Sequence, residues 1–144
     1  MKRRNVLTAL WSAAILCAGH GALATPVVTP LTQGIWRNPH NTVHVEIRSC
    51  GDAACGYVVW ASAQAIADAR KGGTENLIGL QLFRDFVQDK DGAWRGKVFV
   101  PDLNVTFSGA AVPLDPDTLR AKGCLLGKFL CKSQIWRRIQ SVAG

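Results

Sequence analysis

The feature that most limits the fold is rhythm: from Gly34 to Ile139 the chain is a succession of short strand-like runs cut by turn residues. Val43, Val45 and Ile47 alternate with His44, Glu46 and Arg48, the period of two expected of a half-buried strand. Gly34-Ile35-Trp36-Arg37 precedes this run and ends at Pro39-His40-Asn41, and Gly56-Tyr57-Val58-Val59-Trp60 follows it. Further runs cover Leu80 to Val87, Trp94 to Val100, Val105 to Gly109, Thr118 to Gly123 and Ser133 to Ile139. Asp89-Lys90-Asp91-Gly92, Pro101-Asp102-Leu103-Asn104 and Pro113-Leu114-Asp115-Pro116-Asp117 supply turns between them. About eight strands with regular turn spacing predict an all-β fold, an up-and-down antiparallel barrel or a sandwich. One segment breaks the rhythm. Ser62 is a good N-cap, Ala63 to Arg70 has high helix propensity, and Gly72-Gly73 ends the run, so one short helix is expected there.

Four cysteines fall as two tight pairs, Cys50-x4-Cys55 and Cys124-x6-Cys131. Four cysteines allow three pairings. Proximity, and the freedom that Gly51 and Gly127 give the two loops, favour Cys50–Cys55 and Cys124–Cys131. Zinc knuckles space their ligands C-x2-4-C, which the first pair meets only at the limit and the second misses. A redox dithiol of the C-x-x-C type is absent from the sequence. The cysteines therefore read as disulfide staples, in keeping with an oxidising compartment.

The N-terminus points to the same compartment. Lys2, Arg3 and Arg4 form a positive segment, Val6 to Ala18 is a short apolar run, and Ala22-Leu23-Ala24 offers small residues for a signal peptidase. The apolar run is shorter than the roughly 18–20 residues that span a bilayer, so no transmembrane anchor is expected. Leu16 stands before Cys17 where a lipoprotein signal needs a small residue. The expected organisation is a cleaved signal peptide over residues 1–24, a lead-in over 25–33 and a barrel domain over 34–140, in the periplasm. Loss of the three leading cations lowers the net charge from +7 to a mild, scattered basicity. The densest clusters are Arg70-Lys71 and Arg137-Arg138, far short of the basic stripe with stacking aromatics that nucleic acid requires.

No catalytic, cofactor or metal motif stands out. His44 and Glu46 share one face of a strand, but that face opposes Val43, Val45 and Ile47 and is expected to be solvated. With His40 they fall short of the three or four converging ligands of a metal site. Asp85, among Phe83, Phe86 and Val87, is a candidate acid only if buried; an exposed face or an Arg84 partner is the simpler account. Ser62, Ser108 and Ser133 lack a Gly-x-Ser-x-Gly setting. Of the tryptophans, Trp60 and Trp94, with Phe107, are candidates to line a pocket, although aromatics of this kind more often fill a small core.

A longer set of motifs is more specific: Gly34-x-Trp36, Cys55-Gly56, Trp94-x-Gly96-Lys97, the Pro101-Asp102 turn, Arg120-x-x-Gly123-Cys124 and Gln134-x-Trp136-x-Arg138. Their order and spacing resemble the bacterial family known as domain of unknown function 2147, over nearly all of Gln33 to Ile139. Gly34 and Trp36 with Arg137 or Arg138 also resemble the closure of lipocalin-type barrels, in which that tryptophan packs on the barrel floor beneath an arginine from the chain's end. The resemblance implies an eight-stranded antiparallel, lipocalin-like (calycin-type) barrel with one short helix, exported to a Gram-negative envelope. It implies no activity. The chain departs from the family where members read Gly-Lys-x-Tyr and it has Asn104-Val105-Thr106-Phe107, so a role for a Lys–Tyr pair does not carry over.

Three functions fit these observations. The first is an envelope barrel that binds a small apolar or amphipathic ligand. The second is a filled barrel that engages another envelope protein. The third, a hydrolase or isomerase with a carboxylate at the barrel mouth, has least support. An eight-stranded barrel is just wide enough to be filled or to hold one small ligand, so the volume of its interior separates the first two. No residue pattern sets an oligomeric state.

Overall fold

The structure, a computed structural model, describes residues 33–126 and 129–142. The expected signal peptide, most of the lead-in and Gly127 lie outside the described residues. Eight strands follow in chain order: β1 Gly34–Arg37, β2 Val43–Cys50, β3 Ala53–Ala61, β4 Gln81–Gln88, β5 Trp94–Val100, β6 Val105–Asp115, β7 Thr118–Cys124 and β8 Cys131–Ile139, with helix α1 Ala63–Lys71 between β3 and β4. Every strand pairs antiparallel with its sequence neighbours, and β8 returns to β1, so the sheet closes into a barrel. Up-and-down connection gives the barrel two distinct ends. The 38–42 loop, α1, the β5–β6 turn and the β7–β8 loop gather at one end; the three remaining hairpin turns and both ends of the barrel chain gather at the other.

The second end is the floor. Trp36 is wholly buried, and the Arg138 guanidinium lies 4.6 Å above its ring centroid. Of the two adjacent arginines it is therefore Arg138 that stacks, because register places Trp36 opposite Arg138 on β8. Arg138 also donates from Nε to the Pro116 carbonyl at 2.9 Å and from Nη1 to the Gln33 carbonyl. Arg137 points the other way and donates to the Thr118 hydroxyl at 2.7 Å. The glycine of Gly34-x-Trp36 has a physical reason: its φ is +135°, and a Cβ there would lie 2.5 Å from Arg138 Nη1.

Above the floor, Phe83 packs edge-on to both Phe86 and Trp136, at 5.8 and 5.4 Å between centroids. Inward-facing glycines make room for these rings. A Cβ on Gly96 would meet the Phe86 ring at 2.5 Å, which accounts for the glycine in Trp94-x-Gly96-Lys97. Val45, Ile47, Val58, Leu82, Ala111 and Leu119 complete the core around them.

The helix forms where capping residues frame the alanine run. Ser62 Oγ accepts from the Ala65 N–H at 3.1 Å, and the Gly72 N–H closes the last turn on the Asp68 carbonyl at 3.1 Å. Gly72 also permits close docking: a Cβ would sit 2.4 Å from the Asp102 carbonyl oxygen. With the Thr74 hydroxyl donating to the Pro101 carbonyl at 3.0 Å, this ties the end of α1 to the β5–β6 turn. Cys50–Cys55 bridges the β2–β3 hairpin at the floor end, and Cys124–Cys131 bridges directly opposed residues of β7 and β8 at the other.

Two boundaries move by three residues or more from the sequence reading. β6 runs on through Pro113 to Asp115, and the turn shrinks to Pro116 and Asp117. A register shift between Pro113 and Asp115 accommodates the proline, which has no N–H to donate; bulges are where sheets tolerate it. β3 begins at Ala53, so the hairpin extends into the cysteine loop. Replacing Trp36 by Ala is expected to cost about 3–5 kcal/mol of unfolding free energy, since it removes the stacked ring and opens a cavity. Urea denaturation is also expected to rank Arg138→Ala as more destabilising than Arg137→Ala; equal effects would contradict the closure described here.

Candidate ligand cavity

A cavity of about 790 Å³ occupies the barrel between the aromatic layer and the end that carries α1. Its wall is mainly apolar. Ile47, Leu82, Phe86, Val98, Ala111 and Leu119 line the deep part, and Leu77, Leu103, Phe107, Leu125 and Leu130 line the mouth. Small residues create the space: Ala54, Ala110, Ala111 and Ala121 stand on the wall where larger side chains would fill it. A few polar groups reach the same space, among them Asn38, Gln64, Asp68, Lys132 and Gln134. The Asp68 carboxyl is held below its ordinary range, first by the hydrogen bond from Gln64 and then by the one from Lys71. It is thus a charged group already engaged at the helix, with Gln64 Nε2 at 2.9 Å and Lys71 Nζ at 3.1 Å.

Of the three pocket candidates read from the sequence, Phe107 lies on the cavity wall. Trp60 and Trp94 do not. Trp60 covers the outside of β2, its ring 4.4 Å from that of His44, and Trp94 is buried at the floor end of β5. The tryptophan that does line the cavity is Trp136, buried on β8 with its indole N–H donating to Gln134 at 3.2 Å. Alternation held the signal for it. Once Arg138 is placed against Trp36, the period of two puts Trp136, Gln134 and Lys132 on the inner face as well.

His44 corrects the expectation of a solvated face. It is 1% exposed, although it does lie on the outer side of β2. A bulge is the cause: His44 pairs with Trp60 and Val45 with Val58, leaving Val59 as the extra residue that tilts Trp60 over the imidazole. Nε2 lies 2.8 Å from Asn41 Oδ1, while Nδ1 is buried with no hydrogen-bond partner among the described residues. Glu46 stays half-buried and forms an exposed ion pair with Arg48 at 3.8 Å, and His40 is exposed. His44, His40 and Glu46 do not converge. Asp85 is exposed, at a positive φ of 52° within a β4 irregularity. Among the described residues, Cys50, Cys55 and Asp85 bring ligand-type atoms within 4.8 Å, but the two sulfurs are bonded to each other.

A closed, eight-stranded antiparallel barrel with an apolar interior reached from one end is a lipocalin-like architecture. The chain belongs to the family described as an uncharacterized protein conserved in bacteria, domain of unknown function 2147, which it matches over residues 34–138. The structure is similar to that of protein HP1028 from the human pathogen Helicobacter pylori, described as belonging to the lipocalin family. The TM-score is 0.60 at 13% identity, over 78% of this chain and 85% of that one. At that identity the likeness is one of fold. A search of curated proteins gave no match.

Burial, followed by the Arg37 charge, lowers the pKa of His44 below its ordinary 6.5. Protonation then favours the unfolded chain, so this group's contribution to stability is full above 6.5 and declines as pH falls from there towards the folded value. Urea midpoints measured across that window are expected to drop with acid in the parent and to drop less in His44→Gln. Identical slopes would assign the acid sensitivity to other groups.

Proposed function

We propose that the protein is an exported, non-catalytic carrier that holds one small apolar or amphipathic ligand inside its barrel within the cell envelope. The observation that carries this reading is the apolar cavity of about 790 Å³, within the roughly 300–1,000 Å³ typical of small-molecule sites. Apolar walls with a few polar groups at the mouth suit a molecule with a greasy body and a polar end. Burial of such a body against Leu, Phe and Val side chains gains about 25 cal/mol per Å² of apolar surface. A filled barrel that serves only as an interaction module has less support, because the alanines on the wall leave the interior unfilled.

Export is supported by the Lys2-Arg3-Arg4 segment, the apolar run and the Ala22-Leu23-Ala24 site, together with two disulfides of the kind that persist in oxidising compartments. Intact-mass analysis of the protein recovered from the periplasm of its own host is expected to show a chain starting near Thr25, without lipid on Cys17.

Native mass spectrometry of that same material is expected to reveal a co-purifying small molecule released on denaturation. Added back, the ligand should change intrinsic fluorescence chiefly through Trp136, the tryptophan on the cavity wall, so Trp136→Phe should mute the response. Ala121→Trp, which places bulk midway along the cavity wall, should abolish binding while the protein still melts cooperatively. Full binding by a folded Ala121→Trp variant would exclude the cavity as the site.

A further inference from the structure

We infer, resting on the carrier reading, that the ligand is an aliphatic chain ending in a carboxylate, whose head is held by Lys132 and Gln134 on β8. β7 and β8 run side by side up the cavity wall, and their inward residues change in step. Leu119 lies opposite Trp136 in the deep part, Ala121 opposite Gln134 above it, and Gly123 opposite Lys132 nearest the opening. Along β7 the side chains shrink from leucine to alanine to glycine while those on β8 become polar. Gly123 has no positive φ to explain it, and nothing lies within 4 Å of where its Cβ would be. Space is thus left open beside the two polar side chains of β8.

Hydrogen bonding selects an acceptor as the head. Asn38 and Thr42 are bonded within their own loop, and Gln64 is bonded to Asp68. The Trp136 indole N–H is a donor only, so its bond to Gln134 occupies the amide oxygen and leaves the NH2 to donate. Neither that NH2 nor Lys132 Nζ has a partner among the described residues. Two donors therefore stand two residues apart on one strand face, with Cα atoms about 7 Å apart. A carboxylate, which only accepts and does so through two oxygens, matches them. With its head at that level, a tail runs down against Leu119, Leu82 and Phe86.

The acids that border the cavity do not cancel Lys132. Asp68 is already held by Lys71 at 3.1 Å and by Gln64 at 2.9 Å. Asp102 is exposed on the β5–β6 turn, with β6 and β7 between it and β8. Lys122 also borders the cavity, but alternation with Ala121 and Gly123 turns it to the outer face. There it shares a groove with Asp85 and with Arg95, itself paired to Asp89, and it is not counted towards the head site. An ammonium at the opening of an apolar cavity attracts an anionic head and repels a cationic one. The attraction strengthens once the ligand has displaced water from the barrel.

The test is isothermal titration calorimetry of the purified protein, emptied of any bound molecule on a hydrophobic resin. The probes are dodecanoate, dodecanol and dodecyltrimethylammonium, which share one tail and differ in the head. Dodecanoate is expected to bind about tenfold tighter than dodecanol, and the ammonium weakest. Lys132→Met should erase the preference for dodecanoate over dodecanol, and Lys132→Arg should keep it. Lys97→Met removes the same charge from the outer wall and should bind all three probes as the parent does. Both lysines are solvent-accessible, and a thermal melt of each variant confirms that it is folded. Equal binding of dodecanoate and dodecanol, tightest binding of the ammonium, or equal losses in Lys97→Met and Lys132→Met would overturn the inference and leave the carrier reading standing. Binding of none of the three probes would overturn both.

Discussion

The contact between Arg138 and Trp36 is the one on which the rest of the structure depends. It joins the last strand to the first, and a barrel without that seam is an open sheet with two unpaired edges. β1 has only four residues, so its ladder alone offers few hydrogen bonds. The arginine compensates by stacking on the buried ring and bonding two carbonyls from different segments, Gln33 and Pro116. Gly34 belongs to the same device, since any side chain there would collide with the guanidinium. The floor is thus sealed by a cation–π contact and charge-assisted hydrogen bonds together with the apolar packing around Trp36.

That seal lets the opposite end stay open. Below, rings and inward glycines interlock, Phe86 lying against the space left by Gly96 and Gly109. Elsewhere on the wall, small side chains such as Ala111 and Ala121, register partners on β6 and β7, leave a void. The same sheet therefore has a dense half that supplies stability and a loosely filled half that supplies room. Helix α1 and the β5–β6 turn frame the opening, and they are tied to each other through Gly72 and Thr74.

Much of this was legible in the chain, and the misses share one cause. Alternation in Val43, Val45 and Ile47 gave the inner face of β2, and capping residues gave both ends of α1. The motif set gave the family. What alternation does not encode is a bulge, after which the faces no longer follow a single count. The bulge beside His44 turned an expected solvated histidine into a buried one, and another beside Pro113 carried β6 through an expected turn. Trp60 and Trp94 look no different from Trp136 in the sequence; only register decides which of them meets the cavity. The choice between Arg137 and Arg138 had the same character, and it was fixed by pairing with a strand about a hundred residues away.

Both disulfides connect neighbouring strands of single hairpins, at sequence separations of 5 and 7. Each cysteine meets its proper partner at a far higher effective concentration than either distant one, because closing a short loop loses less chain entropy than closing a long one. Pairing in order of appearance is therefore the native pairing. A chain that meets an oxidant N-terminus first can close its first hairpin before the second has arrived, and no later reshuffling is needed. Barrel closure is different, for it must wait until β8 is present. Covalent order is thus written locally and can be completed early, whereas topology is completed last.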